Sequence, residues 1–401
     1  MRDVLAIALR AGQLMLENGA NTARIEETVH RLATALGAEW VDVYVTPSGI
    51  IATVFSDSDH RTRILRLVRS GIDLSRIAAV LEVSRAAEHG ELDRRAVRVA
   101  LEEIAKQPRI YNRWLTTSAV GLACACLAVL FGGGLIEAAI TFVSSALGLR
   151  LREWMTHYNL SRLLSTGLTA FWASALALVL SLVLQASAPA AAMTAAAIFM
   201  VPGVLLVSSA ADLFRGDTLA GLSRAASAAL LLIAIAGGLW ATLLISGVQV
   251  EIGPGEYMFV PLYAPLLAFC AAGGFAVMFD VPRRALVFAA LNGALAYACY
   301  RFSGVFGVPV GAAAFFGGLT VGVLSEVFAR LLRFPTSIFS IPAILPLVPG
   351  ALAFRALLEF VGNDYTNGIA NLIRVLVVII AIAAGLGTVS SLRRVGHKSA
   401  V

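Results

Sequence analysis

Charge is what this 401-residue chain has least of: 14% of its residues are Asp, Glu, Lys or Arg, against 59% hydrophobic, and the mean hydropathy is +0.83. That balance excludes an ordinary soluble protein. Histidine is scarce too, with five in the chain; His30, His60 and His89 are scattered without ligand spacing, and only His157 and His397 lie beyond them. The four cysteines, Cys124, Cys126, Cys270 and Cys299, all fall in apolar segments, so Cys-Ala-Cys at 124–126 reads as small apolar residues in a helix, not a metal or redox pair. There is no phosphate-cradling Gly-rich loop, no Gly-x-Ser-x-Gly elbow and no His-Glu-x-x-His. ATP coupling and the common hydrolase chemistries therefore lack their residues, and no cofactor or metal is expected. No cleavable signal is expected either: Val4–Leu16 contains Arg10 and Gly12, and its apolar residues follow helical spacing, as in an amphipathic helix.

What charge there is lies unevenly. Residues 1–114 hold 16 Lys+Arg and 15 Asp+Glu, whereas residues 115–401 hold 15 and 10 over a much longer stretch. A cytoplasmic α+β domain over 1–114 is expected before a mainly α membrane domain. The formal charge of +6 is no nucleic-acid signal, because most of it flanks apolar segments, where basic residues set topology. A span needs about 20 apolar residues. Ten candidates follow: 115–132, 134–149, 163–185, 190–210, 222–246, 257–279, 285–300, 308–329, 336–357 and 369–390. With 1–114 inside, 12 of the membrane domain's 15 basic residues fall on inner segments: Arg150, Arg152, Arg162, Arg215, Arg224, Arg283, Arg284, Arg330, Arg333, Arg393, Arg394 and Lys398. The outer segment Gln249–Glu256 has none. The sequence thus predicts a multi-pass protein of the bacterial cytoplasmic (inner) membrane with both termini cytoplasmic.

The membrane domain also repeats. Val201-Pro202-Gly203 recurs as Val348-Pro349-Gly350, 147 residues on, and the same offset maps Asp212 to Glu359, Asp217 to Asp364, Gly221 to Gly368 and Gly238 to Gly385. Proline removes a backbone donor and glycine weakens a helix, so each tripeptide predicts a helix break. In lipid, broken backbone survives where protein or a watery cavity satisfies it. Two repeats, 115–248 and 257–391, with a cytoplasmic tail at 392–401, give five spans each. An odd number forces the second repeat to enter the membrane from the opposite side, the inverted arrangement of many alternating-access transporters. Pro202, Gly203, Pro349 and Gly350 are the expected centre of a solute site, with Thr141, Ser145, Ser208 and Asn292 as polar lining. Asp212, Glu359, Asp217 and Asp364 are the coupling or gating candidates. Ser144, Ser209, Thr320 and Asn371 are further polar candidates. Of the other charged residues, Glu137, Arg301, Arg355 and Arg374 stay open, while Asp280 and Glu326 read as interfacial ion-pair partners of nearby Arg283 and Arg330.

The first 114 residues read as helices over 1–37 joined at Glu17–Thr22, a hairpin of Val41–Thr46 and Ile50–Phe55 about Pro47-Ser48-Gly49, a strand near Thr62–Val68, and charged helices over 74–89 and 92–106. No catalytic group stands out; Ser48 and Thr62 are isolated hydroxyls. A regulatory docking role for Arg24, Glu26 and Glu27 on basic inner loops such as 150–162 or 330–333 is expected.

Several segments carry a family resemblance. These are Gly19-Ala20-Asn21-Thr22-x-Arg24-x-Glu26-Glu27 with Pro47-Ser48-Gly49, Ala138–Phe142, Val201-Pro202-Gly203 and Ala211–Gly216, then Ile341-Pro342-Ala343-Ile344-x-Pro346-Leu347-Val348-Pro349-Gly350. In this order they resemble the threonine/serine exporter family, with both halves fused in one chain. The resemblance implies a ten-span exporter with a cytoplasmic N-terminal domain, a small-molecule substrate and the lipid bilayer as partners, and no nucleic acid; assembly into a homo-oligomer stays open. It implies a secondary exporter of threonine and serine driven by the proton-motive force. In some bacteria the two halves are separate proteins, one such pair linked to succinate efflux, so dicarboxylate export is an alternative. An intramembrane enzyme or a membrane-anchored sensor are readings from other classes. The first lacks a nucleophile or ligand pair, and the second makes poor use of ten spans.

Overall fold

In the computed structural model, residues 2–56, 59–67, 71–214, 216–247 and 262–398 are described. The outer segment 249–256 lies outside them. Backbone contacts divide the chain into two compact units. One comprises Met1–Ile110 with Arg215–Arg224 and Phe279–Pro282; the other comprises Tyr111–Phe214, Ala225–Met278 and Arg283–Val401.

The first unit begins with α1 (Arg2–Glu17) and α2 (Thr22–Ala35). The Asn21 side chain caps α2 by accepting from the Arg24 amide at 2.9 Å. Gly12 lets α1 come close: a Cβ there would lie 2.7 Å from Val29 and 2.9 Å from Ile50. An antiparallel sheet follows, β1 (Trp40–Thr46), β2 (Gly49–Ser56) and β3 (Asp59–Arg66), in the order β1-β2-β3. The hairpin pairs Thr46 with Gly49, and β3 starts three residues before the predicted strand. Val41, Val45, Ile50, Ala52 and Val54 are buried, while Trp40, Tyr44, Ile51, Phe55 and Ile64 are exposed. Helices α3 (Leu74–Glu88) and α4 (Arg94–Lys106) are capped by Asp73 and Asp93, which accept from Arg76 N at 3.1 Å and Ala96 N at 2.7 Å.

This unit takes in two short segments from far along the chain. Thr22 Oγ1 donates to Asp217 at 3.0 Å, and Arg224 Nη2 reaches the Ala20 carbonyl at 3.5 Å. Leu74 N donates to Phe279 O at 2.9 Å, and Arg109 pairs with Asp280 at 3.5 Å. Arg109 is thus an ion-pair partner of Asp280, where the sequence suggested Arg283. The incorporated segments are 215–224 and 279–282.

The second unit is helical: α5 (Arg113–Leu130), α6 (Leu135–His157), α7 (Arg162–Val183), α8 (Pro189–Ala197), α9 (Gly203–Phe214), α10 (Thr218–Ser246), α11 (Ala264–Met278), α12 (Arg283–Val305), α13 (Val310–Leu332), α14 (Ser337–Ile344), α15 (Gly350–Val361) and α16 (Tyr365–Lys398). The first seven residues of α10 belong to the first unit. A 3-10 turn ends α8 at Ile198–Met200 and another ends α14 at Leu345–Leu347. Shifting α9 by 147 residues lands it end for end on α15, and the same shift starts α10 where α16 starts. Among the described residues, six helices are long and apolar enough to cross a membrane, or eight when each bent pair α8–α9 and α14–α15 counts as one span. Ala264–Met278 is apolar but shorter, and α6 carries Glu137, Arg150, Arg152 and Glu153 within its length.

Packing repeats as well. A Cβ on Gly238 would meet the Gly167 carbonyl and lie 2.7 Å from Phe171 N; one on Gly385 would meet the Phe315 carbonyl and lie 2.6 Å from Leu319 N. So α10 crosses α7 at Gly238, and α16 crosses α13 at the equivalent Gly385, backbone on backbone and one residue out of the offset on the partner helix, as small-residue contacts permit. In the second half Ala296, Ala314, Val321, Ala343, Ile344, Leu347, Val378 and Ile382 form one buried cluster.

Candidate functional site

Each Val-Pro-Gly ends one helix and opens another. Proline supplies no N–H, so the preceding turn tightens: Val201 N donates to Ile198 O at 3.0 Å and Val348 N to Leu345 O at 3.2 Å. The glycine amides close a three-residue turn, Gly203 N to Val201 O and Gly350 N to Val348 O, both 2.8 Å. The new helices start with Leu206 N to Pro202 O and Ala353 N to Pro349 O, both 3.0 Å. The chain bends by 65° at the first break and 42° at the second. As first-turn amides, those of Val204 and Leu205 in α9 and of Ala351 and Leu352 in α15 have no intrahelical acceptor, and no side chain caps α15.

The two breaks touch, reciprocally. A Cβ on Gly203 would lie 3.1 Å from Leu345 and 3.4 Å from Val348. One on Gly350 would lie 2.6 Å from Ile198 and 3.5 Å from Phe131. Ile198 and Leu345 are themselves 147 residues apart. Pro202, Gly203 and Gly350 are buried, and Pro349 is half-buried. The apolar half of this contact was invisible to a search for polar and helix-breaking residues. Applying the same offset to the residues just before each break would have found it.

The polar lining divides among several places. Thr141 and Ser145 are buried in α6; Thr141 Oγ1 donates to Ala192 O at 3.4 Å, and Ser145 Oγ to Thr141 O at 2.7 Å. Asn292, which sits 147 residues after Ser145, is fully buried in α12. Its Nδ2 reaches Ser325 Oγ at 2.9 Å and the Val321 and Phe339 carbonyls at 3.3 Å, while its Oδ1 has no hydrogen-bond partner. Ala192 and Phe339 are again 147 apart, so the same α6–α8 tie recurs as α12–α14 with a different donor. Ser208 is half-buried on α9.

Of the acids, Asp212 is buried near the end of α9. Glu359, its counterpart, accepts from Arg355 Nε at 3.2 Å and from Asn371 Nδ2 at 2.9 and 2.7 Å. Arg374 Nη1 donates to Asn371 Oδ1 at 3.1 Å and completes that chain. Asp217 and Asp364 sit immediately before α10 and α16 and act as N-caps: Asp217 accepts from Ala220 N at 3.4 Å and Asp364 from Asn367 N at 3.2 Å. Glu137 ties α6 to the start of α8, accepting from Gly134 N at 2.7 Å, Ala188 N at 2.8 Å and Ser187 Oγ at 3.1 Å. Glu326 pairs with Arg330 at 3.1 Å. The structure therefore brings the two breaks together and gathers Arg355, Glu359, Asn371 and Arg374, while Thr141, Ser145 and Asn292 tie helices within each half.

Comparison with known proteins gives a family. Residues 6–246 match the family described as "Putative threonine/serine exporter", and residues 265–392 match "Threonine/Serine exporter, ThrE". The chain is 25% identical to a probable threonine/serine exporter of Mycobacterium tuberculosis, over 96% of this chain and 75% of that one. It is 22% identical to a threonine/serine exporter of Corynebacterium glutamicum, over 96% and 81%. It is 33% identical to a probable succinate transporter subunit of Escherichia coli, over 62% of this chain and 96% of the relative. No solved structure matches. The chain belongs to the threonine/serine exporter family and is a multi-pass membrane protein.

Proposed function

We propose that this member of the exporter family moves threonine and serine out of the cell by alternating access, with the solute seated where the two Val-Pro-Gly breaks meet. The observation that carries this reading is the reciprocal contact of Gly203 with Leu345 and Gly350 with Ile198. In this reading α5–α10 and α11–α16 are inverted five-span repeats of the inner membrane, both termini are cytoplasmic, and α8–α9 and α14–α15 are broken spans. The first-turn amides of α9 and α15 suit a carboxylate, and the carbonyls ending α8 and α14 suit an ammonium. Ser208, five residues past Gly203, and Asn292, whose Oδ1 has no hydrogen-bond partner, are the further polar groups this reading assigns to the solute path.

Coupling to the proton-motive force falls to Asp212 and Glu359, each nine residues beyond a break. Asp217 and Asp364 set the start of the helix that follows and so act as gate supports. A second reading, dicarboxylate export, is favoured by two arginines near Glu359 and by the succinate transporter subunit among the relatives. Counterflow of labelled threonine into proteoliposomes tests the first reading, with labelled succinate as the competing solute. Threonine counterflow supports it. Succinate counterflow alone replaces it with the second, and accumulation of neither removes both.

A further inference from the structure

Twelve of the 15 basic residues in 115–401 are accounted for by topology, and the remaining three are Arg301, Arg355 and Arg374. Arg374 is the tenth residue of the candidate span Tyr365–Val389. Nine residues of helical rise place it about 13 Å from the start of that span, well inside a hydrocarbon layer of about 30 Å. Arg374 is exposed, as are its neighbours Leu372, Ile373, Leu376 and Val377, while Asn371 and Val375 beside it are buried. A cation at such depth is costly and needs a counter-charge. Among the described residues no carboxylate lies within ion-pair distance of Arg374, whose single polar contact is the amide oxygen of Asn371.

The nearest acid is already engaged. Glu359 takes Arg355 on one oxygen and the Asn371 amide across both. Asn371 therefore spends its donor on the acid and its acceptor on Arg374, and holds the two apart as a spacer. Two guanidinium groups then share one carboxylate, leaving one positive charge uncompensated. The equivalent positions in the first half are Ser208, Asp212, Arg224 and Ser227, one acid and one base with no surplus. The excess charge is thus peculiar to the second half and is not required to build the fold. It also lies near the break: Arg355 is five residues past Gly350, about 7.5 Å along α15.

We propose that Arg374, with Arg355, forms a binding site for a carboxylate group of the transported solute. This rests on the exporter reading above and adds a subsite to it. A guanidinium takes a carboxylate through paired N–H donors, which a point charge does not reproduce. The carboxylate of an amino acid and one end of a dicarboxylate offer the same chemistry, so both are probed.

The test uses the full chain in lipid nanodiscs, with binding of L-threonine, succinate and threoninol, which lacks the carboxylate, measured calorimetrically. Arg374→Gln is expected to weaken whichever carboxylate probe binds by about tenfold or more, the scale of one charge-assisted hydrogen bond. Threoninol binding and the thermal midpoint should not move. Arg330→Gln, at a residue paired with Glu326, is the control expected to leave binding unchanged. Should Arg374→Gln fail to insert, Arg374→Lys keeps the charge and is expected to insert and bind the carboxylate several-fold more weakly. Wild-type affinity in the inserted variant overturns the site while leaving the exporter reading standing. If the wild-type protein neither binds nor transports threonine or succinate, the exporter reading fails and the site falls with it.

Discussion

The first break and the second share a backbone and differ in charge. Pro202 and Pro349 sit in turns with matching hydrogen bonds, and Gly203 and Gly350 each pack on the residue that opens the other half's 3-10 turn. Past the breaks the likeness stops. The α15–α16 pair holds Arg355, Glu359, Asn371 and Arg374, where α9–α10 has Ser208, Asp212, Arg224 and Ser227. The lesson is that the offset preserves what the helix break needs sterically and leaves the electrostatics free. Steric rules act on the glycine and proline positions themselves. Charge needs only to balance somewhere nearby, so a base can change helices while the acid stays.

The sharpest way to break this comparison is to neutralise the two acids one at a time. Asp212→Asn is expected to lower pH-gradient-driven efflux by about a hundredfold, the scale of losing a required proton-transferring group, with insertion intact. Glu359→Gln keeps an acceptor for Asn371 and is expected to lower efflux less. Efflux measured against counterflow in proteoliposomes separates the two, and unchanged pH-driven efflux in Asp212→Asn would remove that residue from coupling.

A second pair of variants tests the shared backbone. Gly238→Ala and Gly385→Ala each push a methyl against a neighbouring helix backbone. Each should destabilise the protein by about 1–3 kcal/mol, read as a fall in the thermal midpoint of the detergent-solubilised protein. Similar falls sharpen the comparison; a fall in one half alone would show that the crossings are not equivalent. The smallest effect concerns the first unit. Thr22→Ala removes the hydrogen bond to Asp217, a loss of about 1 kcal/mol. Amide exchange in residues 218–224 should quicken modestly, and unchanged exchange would mean that this contact does not hold the segment.

Some of this was legible in the sequence, for reasons that differ by element. The Val-Pro-Gly breaks were readable because proline and glycine have few structural uses inside an apolar run. The hairpin at Pro47-Ser48-Gly49 and the Asn21 cap were readable from turn and cap chemistry. Helix lengths were less so. The expected second span stops at 149, yet α6 runs to His157, because Arg150 pairs with Glu153 at 2.6 Å and lies 4.6 Å over the Trp114 ring. Hydropathy stops at a charge, whereas a helix stops only when its backbone does. Asp217 and Asp364, coupling or gating candidates in the sequence, also stand at N-caps; each directly precedes a helix, the position where an acid most often has that use. The partners of Glu359 were not legible as a group, since they come from two helices and become neighbours only through the α15–α16 turn.

The central claim is that the two halves are built alike and run through the membrane in opposite directions. Ser187 and Phe334 occupy equivalent positions just before α8 and α14, 147 residues apart. Ser187→Cys and Phe334→Cys, each in a background with Cys124, Cys126, Cys270 and Cys299 replaced, are to be labelled with a membrane-impermeant maleimide in intact cells and again after permeabilisation. The account predicts that Ser187→Cys labels in intact cells and Phe334→Cys only after permeabilisation; labelling of both positions from the same side would contradict it.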